Sequence, residues 1–273
     1  MTLHASAAPW SSHQSPVLRR FQGPMLMLHS TNEILDFYIH ATDGLIGQVK
    51  DLYFDDATWV IRYFVVDTGG WLQTGKVLVS PIALSPPDWV GKALPTLLTR
   101  EQVKNSPDID TKQPVSRQHE MRYLKYYGFP YYWGGLGLWG GGAYPSVMVS
   151  DNTGLDSSQY VAKPEEDKDY AIAEAERHQD DDPNLRSSNA VRNYHILATD
   201  GDIGHLEGLL VDTQSWAIRY LVIDTSNWWL GHKVVIAPQS VENVSWSDAT
   251  VYVKLTRKAV KDAPSYDPSN PPD

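Results

Sequence analysis

Short apolar runs separated by Gly, Pro and Asp recur along this chain. The longest of them, Trp59 to Thr68, is rich in β-branched and aromatic residues with almost no polar alternation, and a similar run occupies residues 216–225. Such a run indicates a strand that is buried on both faces. Several short strands at near-regular spacing, with turn residues between them, predict a small β-barrel or sandwich rather than alternating strands and helices.

The chain contains an internal repeat. Residues 36–110 align with residues 193–267 without a gap, and about 28 of about 75 positions are identical, far more than two unrelated segments share. These segments are named the first repeat and the second repeat below. The duplication predicts that the two segments fold alike.

Each repeat carries the same local signals. The first repeat begins with Asp43-Gly44, which favours a turn because Gly tolerates positive φ. A short predicted strand then ends at Pro81, where the ring removes a donor from the ladder. Thr99 is a candidate N-cap for about one turn of helix. The second repeat has the same residue types at Asp200-Gly201, Pro238 and Thr256.

The segment between the repeats has no counterpart elsewhere in the chain. Residues 116–127 predict a helix, because Met121, Leu124 and Tyr127 lie along one side of it. Residues 128–142, named the aromatic-Gly segment below, are rich in Gly, Tyr and Trp. Neither helix nor strand propensity explains this composition.

Three interpretations of the aromatic-Gly segment are open. Its side chains pack against a barrel or fill the space between two barrels, since exposing so much aromatic area is costly. Alternatively they bind a partner protein, because Tyr and Trp dominate interface hot spots. A third interpretation is insertion into a membrane interface, although a basic face for anionic lipid is missing. The candidate binding residues are Tyr131, Tyr132, Trp133 and Trp139.

Composition narrows the class of protein. The chain has 273 residues, no Cys and a formal charge of −10, which excludes disulfide scaffolds and cysteine nucleophiles and argues against a nucleic-acid partner. No apolar run is long enough to span a membrane and no signal peptide is evident, so we expect a cytoplasmic protein. Most of the net negative charge, −7 of −10, lies in residues 151–190, which we interpret as a linker.

The sequence contains no motif for catalysis. It has no nucleophile motif and no phosphate loop. His195, His205 and His232 could converge in the second repeat, but surface or packing roles are the simpler interpretation. Arg62 and Arg219 lie at matching positions in apolar strands, where we expect each to form a structural ion pair with a nearby Asp. We therefore expect no enzyme activity, no cofactor and no metal.

The order of these motifs resembles the PRC-barrel family. The shared features are the Asp-Gly turn, a Trp-x-Ile-Arg-Tyr strand ending in Asp-Thr, a Lys-Val strand stopped by Pro, and Leu-Thr-Arg before a short helix. The resemblance implies small all-β barrels that dock on protein partners, as in the ribosome maturation factor. In the photosynthetic reaction-centre H subunit, the barrel also helps to control proton access and electron transfer. That subunit has an N-terminal membrane helix that is missing here, so we do not expect a resident reaction-centre subunit.

We therefore expect an all-β fold of two tandem PRC-like barrels that pack as a pseudo-dimer. The expected function is non-enzymatic, as a protein-interaction or regulatory module. The alternative is a peripheral accessory factor of a membrane electron-transfer or photosynthetic complex. We expect a protein partner, and contact with a membrane only peripherally if at all. The expected parts are an N-terminal tail (1–27), the first barrel (28–110), a connecting region (111–187), the second barrel (188–267) and a C-terminal tail (268–273).

Overall fold

The two repeats share most of their elements, in the same order. The computed structural model describes residues 28–73, 75–107, 117–133, 136–148, 185–225 and 232–268. In these ranges the strands are β1 (Leu28–Ser30), β2 (Tyr38–Ala41), β3 (Gly44–Asp55), β4 (Val60–Asp67), β5 (Lys76–Val79), β6 (Ala93–Pro95), β7 (Leu185–Ser187), β8 (His195–Ala198), β9 (Gly201–Asp212), β10 (Ala217–Asp224), β11 (Lys233–Ile236), β12 (Val241–Ser245) and β13 (Thr250–Val253). Elements β1 to β5 match β7 to β11 in position and length.

Short helices accompany the strands. In the described ranges the helices are α1 (Thr31–Ile34), α2 (Arg100–Lys104), α3 (Arg117–Tyr127), α4 (Ser188–Val191) and α5 (Arg257–Lys261), with 3-10 helices at Pro81–Ala83, Pro145–Met148 and Pro238–Ser240. Thr99 caps α2 by accepting from the backbone N–H of Gln102, and Thr256 caps α5 in the same way through Ala259. The predicted caps and the predicted helix before the aromatic-Gly segment are therefore confirmed.

The longest predicted strand lies at the centre of the sheet. All positions of β4 are buried except its last residue, Asp67, which agrees with its continuous apolar sequence. The matching strand β10 differs at one place, because Arg219 and Tyr220 are only half-buried. Since the two strands share an Ile-Arg-Tyr sequence, this difference comes from what packs against them.

The expectation of two closed barrels is corrected by the strand pairing. The strands form one open path, in the order β12-β13-β8-β9-β10-β4-β3-β2-β6, with the remaining strands attached to its sides. Pro81 ends β5, and the segment that follows it reaches β6 and the residue after β6 through isolated bridges alone, from Leu84 to Thr96 and from Asp88 to Ala93. Because proline lacks the N–H that a ladder needs, the strand contact that would close a barrel is cut short there. The fold is β-rich, as expected, but the sheet is open.

The two repeats exchange their leading strands. Strand β1, which precedes the first repeat, pairs with β9 of the second, so that Leu28 lies opposite Asp212. Strand β7, which precedes the second repeat, pairs with β3 of the first, so that Leu185 lies opposite Asp55. The described parts of the two repeats are thus joined reciprocally.

A direct contact between β4 and β10 joins the two halves at the centre. Val60 lies opposite Ala217. The backbone N–H of Ile61 donates to Trp216 O at 2.8 Å, and that of Ile218 donates to Trp59 O at 2.7 Å. Exchanging the two repeats converts one of these bonds into the other, so the contact has local two-fold symmetry.

The unusual backbone conformations also occur at matching positions. Left-handed φ angles are found at Trp59 (55°) and Trp216 (58°), which turn the chain into β4 and β10. Two further matching pairs have the same property, namely Asp36 with Asn193 and Lys92 with Ala249. Non-Gly residues rarely adopt positive φ, so these matches show that the two repeats turn in the same way.

Several sequence-based expectations fall outside the described residues. They concern the N-terminal tail (1–27), the acidic part of the linker up to residue 184 and the last five residues. The domain boundaries given above stay a prediction. In the part of the chain that is described, no helix combines the length and apolar character that crossing a bilayer requires.

Candidate functional site

Arg62 on β4 is the centre of the buried polar groups in the first repeat. Its side chain is 1% exposed and lies 3.9 Å from an Asp55 carboxylate oxygen. One guanidinium nitrogen donates to Leu138 O at 2.7 Å, and the other donates to Thr58 Oγ1 at 3.0 Å. A buried cation needs such partners to offset the loss of water. The predicted structural ion pair is thus present, with Asp55 as the acid.

The aromatic-Gly segment seals this cation. The guanidinium carbon of Arg62 lies 3.9 Å from the ring centroid of Tyr132 and 4.7 Å from that of Trp139, within the range of cation–π attraction. The indole N–H of Trp139 donates to Ser215 O in the second repeat at 2.7 Å. Burial lowers the pKa of Arg62, and the surrounding Tyr and carboxyl groups oppose that shift.

Helix α3 holds the sealing segment from the other side. Glu120 is buried and accepts hydrogen bonds from the hydroxyls of Tyr132 and Tyr63, the latter at 3.2 Å. Tyr123 accepts from the backbone N–H of Ser80 at 3.1 Å and donates to Leu78 O at 3.2 Å. Burial raises the pKa of both Tyr63 and Tyr123 well above the usual value. The helix and the segment therefore form a cover over β4 and β5.

The four predicted binding residues divide into two pairs. Tyr132 and Trp139 are 4% and 1% exposed, so they belong to the core and the packing interpretation describes them. Tyr131 and Trp133 are half-buried and stack on each other with ring centroids 4.8 Å apart. A binding role stays a prediction, and the exposed parts of Tyr131 and Trp133 are the groups that a partner could reach.

The matching arginine of the second repeat is not sealed. The side chain of Arg219 is 40% exposed and pairs with Asp212 at 3.0 Å. The same nitrogen, Nη2, lies 3.5 Å from Ser215 Oγ. Burial works against the charge on Asp212, but hydrogen bonds from Ser215, Arg219 and the backbone N–H of Gln214 outweigh it and lower the pKa of Asp212. The second predicted ion pair is thus also present, with solvent on one side.

A cleft of about 700 Å³ lies beside Arg219, where the two repeats meet. Its walls come from the Asp56–Trp59 turn, the start of β10, the Pro238 helix and strand β12. Leu138 of the aromatic-Gly segment forms one edge of it. The lining residues are Asp56, Ala57, Thr58, Trp59, Leu138, Arg186, Ala217, Ile218, Arg219, Pro238, Gln239, Val241, Glu242, Asn243, Val244 and Lys254.

The three histidines singled out in the second repeat are brought together only in part. His195 and His205 lie opposite each other on β8 and β9, with ring centroids 4.7 Å apart. His195 also lies 3.5 Å from an Asp202 carboxylate oxygen. His232 contacts Thr225 through its backbone carbonyl. Among the described residues, no group of three His, Cys, Asp or Glu side chains could hold a metal ion.

Sequence inspection missed the open cleft, although a signal for it was present. Arg62 and Arg219 are identical positions of the repeat, whereas the aromatic-Gly segment that covers Arg62 occurs once. The single aromatic-Gly segment covers Arg62, so the matching Arg219 needs a different cover or remains exposed. That inference needs the contact between segment and arginine, which no periodicity predicts.

Residues 32–88 match the sequence profile of the PRC-barrel domain. The chain is also 37% identical over 73 residues to an uncharacterised protein of Deinococcus radiodurans, an alignment that covers 27% of this chain and 26% of that protein. The chain thus spans about a quarter of that relative. The strands β2 to β5 and the sealed Arg62 all fall within the matched residues. Residues 32–88 of this chain are therefore a PRC-barrel domain.

Proposed function

We propose that the chain is a non-enzymatic protein-interaction module made of two PRC-type domains packed as a pseudo-dimer. The second domain comprises residues 188–267. Support comes from the matching strand lengths, the reciprocal exchange of β1 and β7, and the symmetric contact between β4 and β10. A fused pair of copies lets each copy cover the apolar surface of the other.

The observation that carries the proposed function is the difference between Arg62 and Arg219. The same residue in the same strand is sealed by Tyr132 and Trp139 in one half and is 40% exposed above a cleft in the other. The cleft walls are strands and tight turns, which hold their shape better than loops do. A preformed recess lined by an arginine suits the docking of a partner's side chains.

The charges in the cleft suit binding better than catalysis. Arg219 is paired with Asp212, and the hydrogen bonds around Asp212 lower its pKa. The lowered pKa keeps Asp212 ionised near neutral pH, whereas a general acid or base works best when its pKa lies near the operating pH. The pair holds a cation in the lining of the cleft, where it can attract an aromatic ring or a carbonyl oxygen.

Capture from the native cells tests the proposed function. Gln239 is exposed on the cleft wall, so Gln239→Trp puts a bulky side chain into the cleft while both residues of the Arg219–Asp212 pair stay unchanged. Val90 is 98% exposed in the first repeat, so Val90→Trp is the matched control. We expect the wild type and Val90→Trp to capture the same partner and Gln239→Trp to lose it, with circular dichroism unchanged. Equal capture by all three proteins would refute binding at the cleft.

The alternative function, as a peripheral accessory of a membrane electron-transfer complex, stays a prediction from the family resemblance. Sedimentation with lipid vesicles tests it. Recovery of the protein only in the supernatant would count against that role.

A further inference from the structure

We propose that the cleft binds a tryptophan-containing segment of the partner protein, which covers Arg219 as the aromatic-Gly segment covers Arg62. The partner's indole ring lies on the Arg219 guanidinium and donates its N–H to Thr58 O. A backbone carbonyl next to that tryptophan accepts from Nη1 of Arg219. This inference rests on the proposed function and names the chemistry of the partner.

The contacts around Arg62 in the first repeat are the template for this inference. Trp139 makes two contacts at once, since its ring lies 4.7 Å from the Arg62 guanidinium carbon and its indole N–H donates to Ser215 O at 2.7 Å. The carbonyl of the preceding residue, Leu138, accepts from Arg62 Nη1 at 2.7 Å. One tryptophan thus covers the Arg62 guanidinium and donates to a carbonyl of the opposite repeat, and one adjacent carbonyl accepts from Arg62 Nη1.

Around Arg219 the same groups are present, but they lack the partners that Trp139 and Leu138 provide around Arg62. The repeat alignment places Arg219 where Arg62 lies and Thr58 where Ser215 lies, because Thr58 and Ser215 are matching positions. Within the described residues, no donor reaches Thr58 O. The Arg219 bonds in the same ranges come from Nη2, which leaves Nη1 without the carbonyl that Arg62 Nη1 has.

The local symmetry places these vacant groups together. The bonds from Ile61 to Trp216 and from Ile218 to Trp59 relate the two turns that carry Ser215 O and Thr58 O. A two-fold rotation that takes Arg62 to Arg219 therefore takes Ser215 O to Thr58 O. Both residues, Arg219 and Thr58, line the cleft.

The size and polarity of the cleft describe the partner further. A volume of about 700 Å³ exceeds what one indole needs, so residues beside the tryptophan also enter. The wall carries Gln239, Glu242 and Lys254, where the first repeat has Ile82, Ser85 and Leu97. The residues that flank the partner's tryptophan are therefore more polar than Leu138 and its neighbours.

Other sources of the tryptophan fit the structure less well. The aromatic-Gly segment of a second copy is a poor source, since its Trp139 is 1% exposed and hydrogen-bonded within its own chain. Exposing it would uncover Arg62, a side chain that is also 1% exposed. Binding a tryptophan segment of a separate protein does not require the exposure of Trp139 and Arg62.

Fluorescence anisotropy with a labelled peptide of residues 129–142 tests the inference on the full chain. This peptide carries Trp139 and Leu138 in their natural order. We expect saturable binding that falls at least tenfold with Arg219→Met, with Gln239→Trp, and with Trp139→Ala in the peptide. Lys76→Met removes an exposed cation from the first repeat and should leave the affinity unchanged. Circular dichroism checks that each variant is folded.

Each other outcome contradicts either the tryptophan chemistry or the identity of the molecule that occupies the cleft. A peptide that does not bind, or binds Arg219→Met as tightly as wild type, refutes recognition of tryptophan at this cleft. If Gln239→Trp still abolishes partner capture in that case, the proposed function survives and only the aromatic chemistry fails. If the peptide binds only after deletion of residues 1–27, those residues are the occupant and a partner is not. A dimer that Gln239→Trp dissociates would assign the cleft to a second copy.

Discussion

At the scale of single residues, Arg62 and Arg219 show how one side chain takes two roles in a duplicated sequence. Both lie in an Ile-Arg-Tyr strand and both pair with the Asp that ends the preceding strand. Arg62 is enclosed by two aromatic rings and a carbonyl, whereas Arg219 faces the cleft. The arginine was predictable as a structural residue because an apolar strand requires its ion pair. Its exposure was not, because the cover comes from a segment far away in the chain.

The two arginines should contribute unequally to stability. Arg62→Met leaves Asp55 and Glu120 buried with less compensation, so we expect a loss of about 3 kcal/mol in the free energy of unfolding. Arg219→Met removes a pair that is open to solvent on one side, and the expected loss is about 1 kcal/mol. Chemical denaturation of both variants measures the difference. Equal losses would mean that the aromatic cover does not seal Arg62.

The buried tyrosines predict a loss of stability in alkali. Burial raises the pKa of Tyr127 to about 12. In the unfolded chain the phenol ionises near its ordinary value, so stability is intact below about pH 10 and falls as the pH rises towards about 12. Tyr127→Phe should lose less stability over this window than wild type, as measured by denaturation at several pH values. Tyr38→Phe, at a side chain that is 45% exposed, serves as the control.

At the scale of elements, the exchanged strands β1 and β7 anchor each repeat to the other. Asp51 on β3 accepts from Ser187 Oγ at 2.5 Å, from Ser188 Oγ at 3.0 Å and from the backbone N–H of Asn189 at 3.1 Å. The long strands β4 and β10 were predictable, since an apolar run identifies them. The exchange was not, because a strand of three residues has no periodicity and its partner is chosen by contacts such as those of Asp51.

Removing the Asp51 anchor should destabilise the whole protein. Asp51→Ala leaves Ser188 Oγ and the backbone N–H of Asn189 without the carboxylate that accepts from them, and we expect a loss of about 2 kcal/mol in the free energy of unfolding. Glu33→Ala removes an exposed pair with His29 on the other leading segment and should cost less than about 1 kcal/mol. Denaturation curves compare the two variants. A loss for Asp51→Ala no larger than for Glu33→Ala would contradict its role as an anchor.

At the scale of the whole molecule, the two repeats form one continuous sheet. The contact between Val60 and Ala217, the exchange of β1 and β7, and the bond from Trp139 to Ser215 all cross the boundary. One hydrophobic cluster includes Ile61 and Ile218 from opposite sides of it. Sequence repetition predicted two barrels that pack as a pseudo-dimer, but it carries no information about strand pairing between the copies.

This connectivity predicts a single cooperative unfolding transition. Neither half can lose its strands without uncovering core residues of the other, so we expect one calorimetric peak with a calorimetric to van't Hoff enthalpy ratio of about one. Trp139→Ala should shift that peak to lower temperature without splitting it. Two resolved peaks in the wild type would show that the halves unfold independently.

The position of the bound tryptophan segment tests the central claim most directly. Hydrogen exchange of the full chain would be measured with and without the peptide of residues 129–142. We predict added protection in residues 56–59, 217–219 and 238–244, which form walls of the cleft beside Arg219. Unchanged exchange in these three ranges, with protection elsewhere or nowhere, would contradict this prediction.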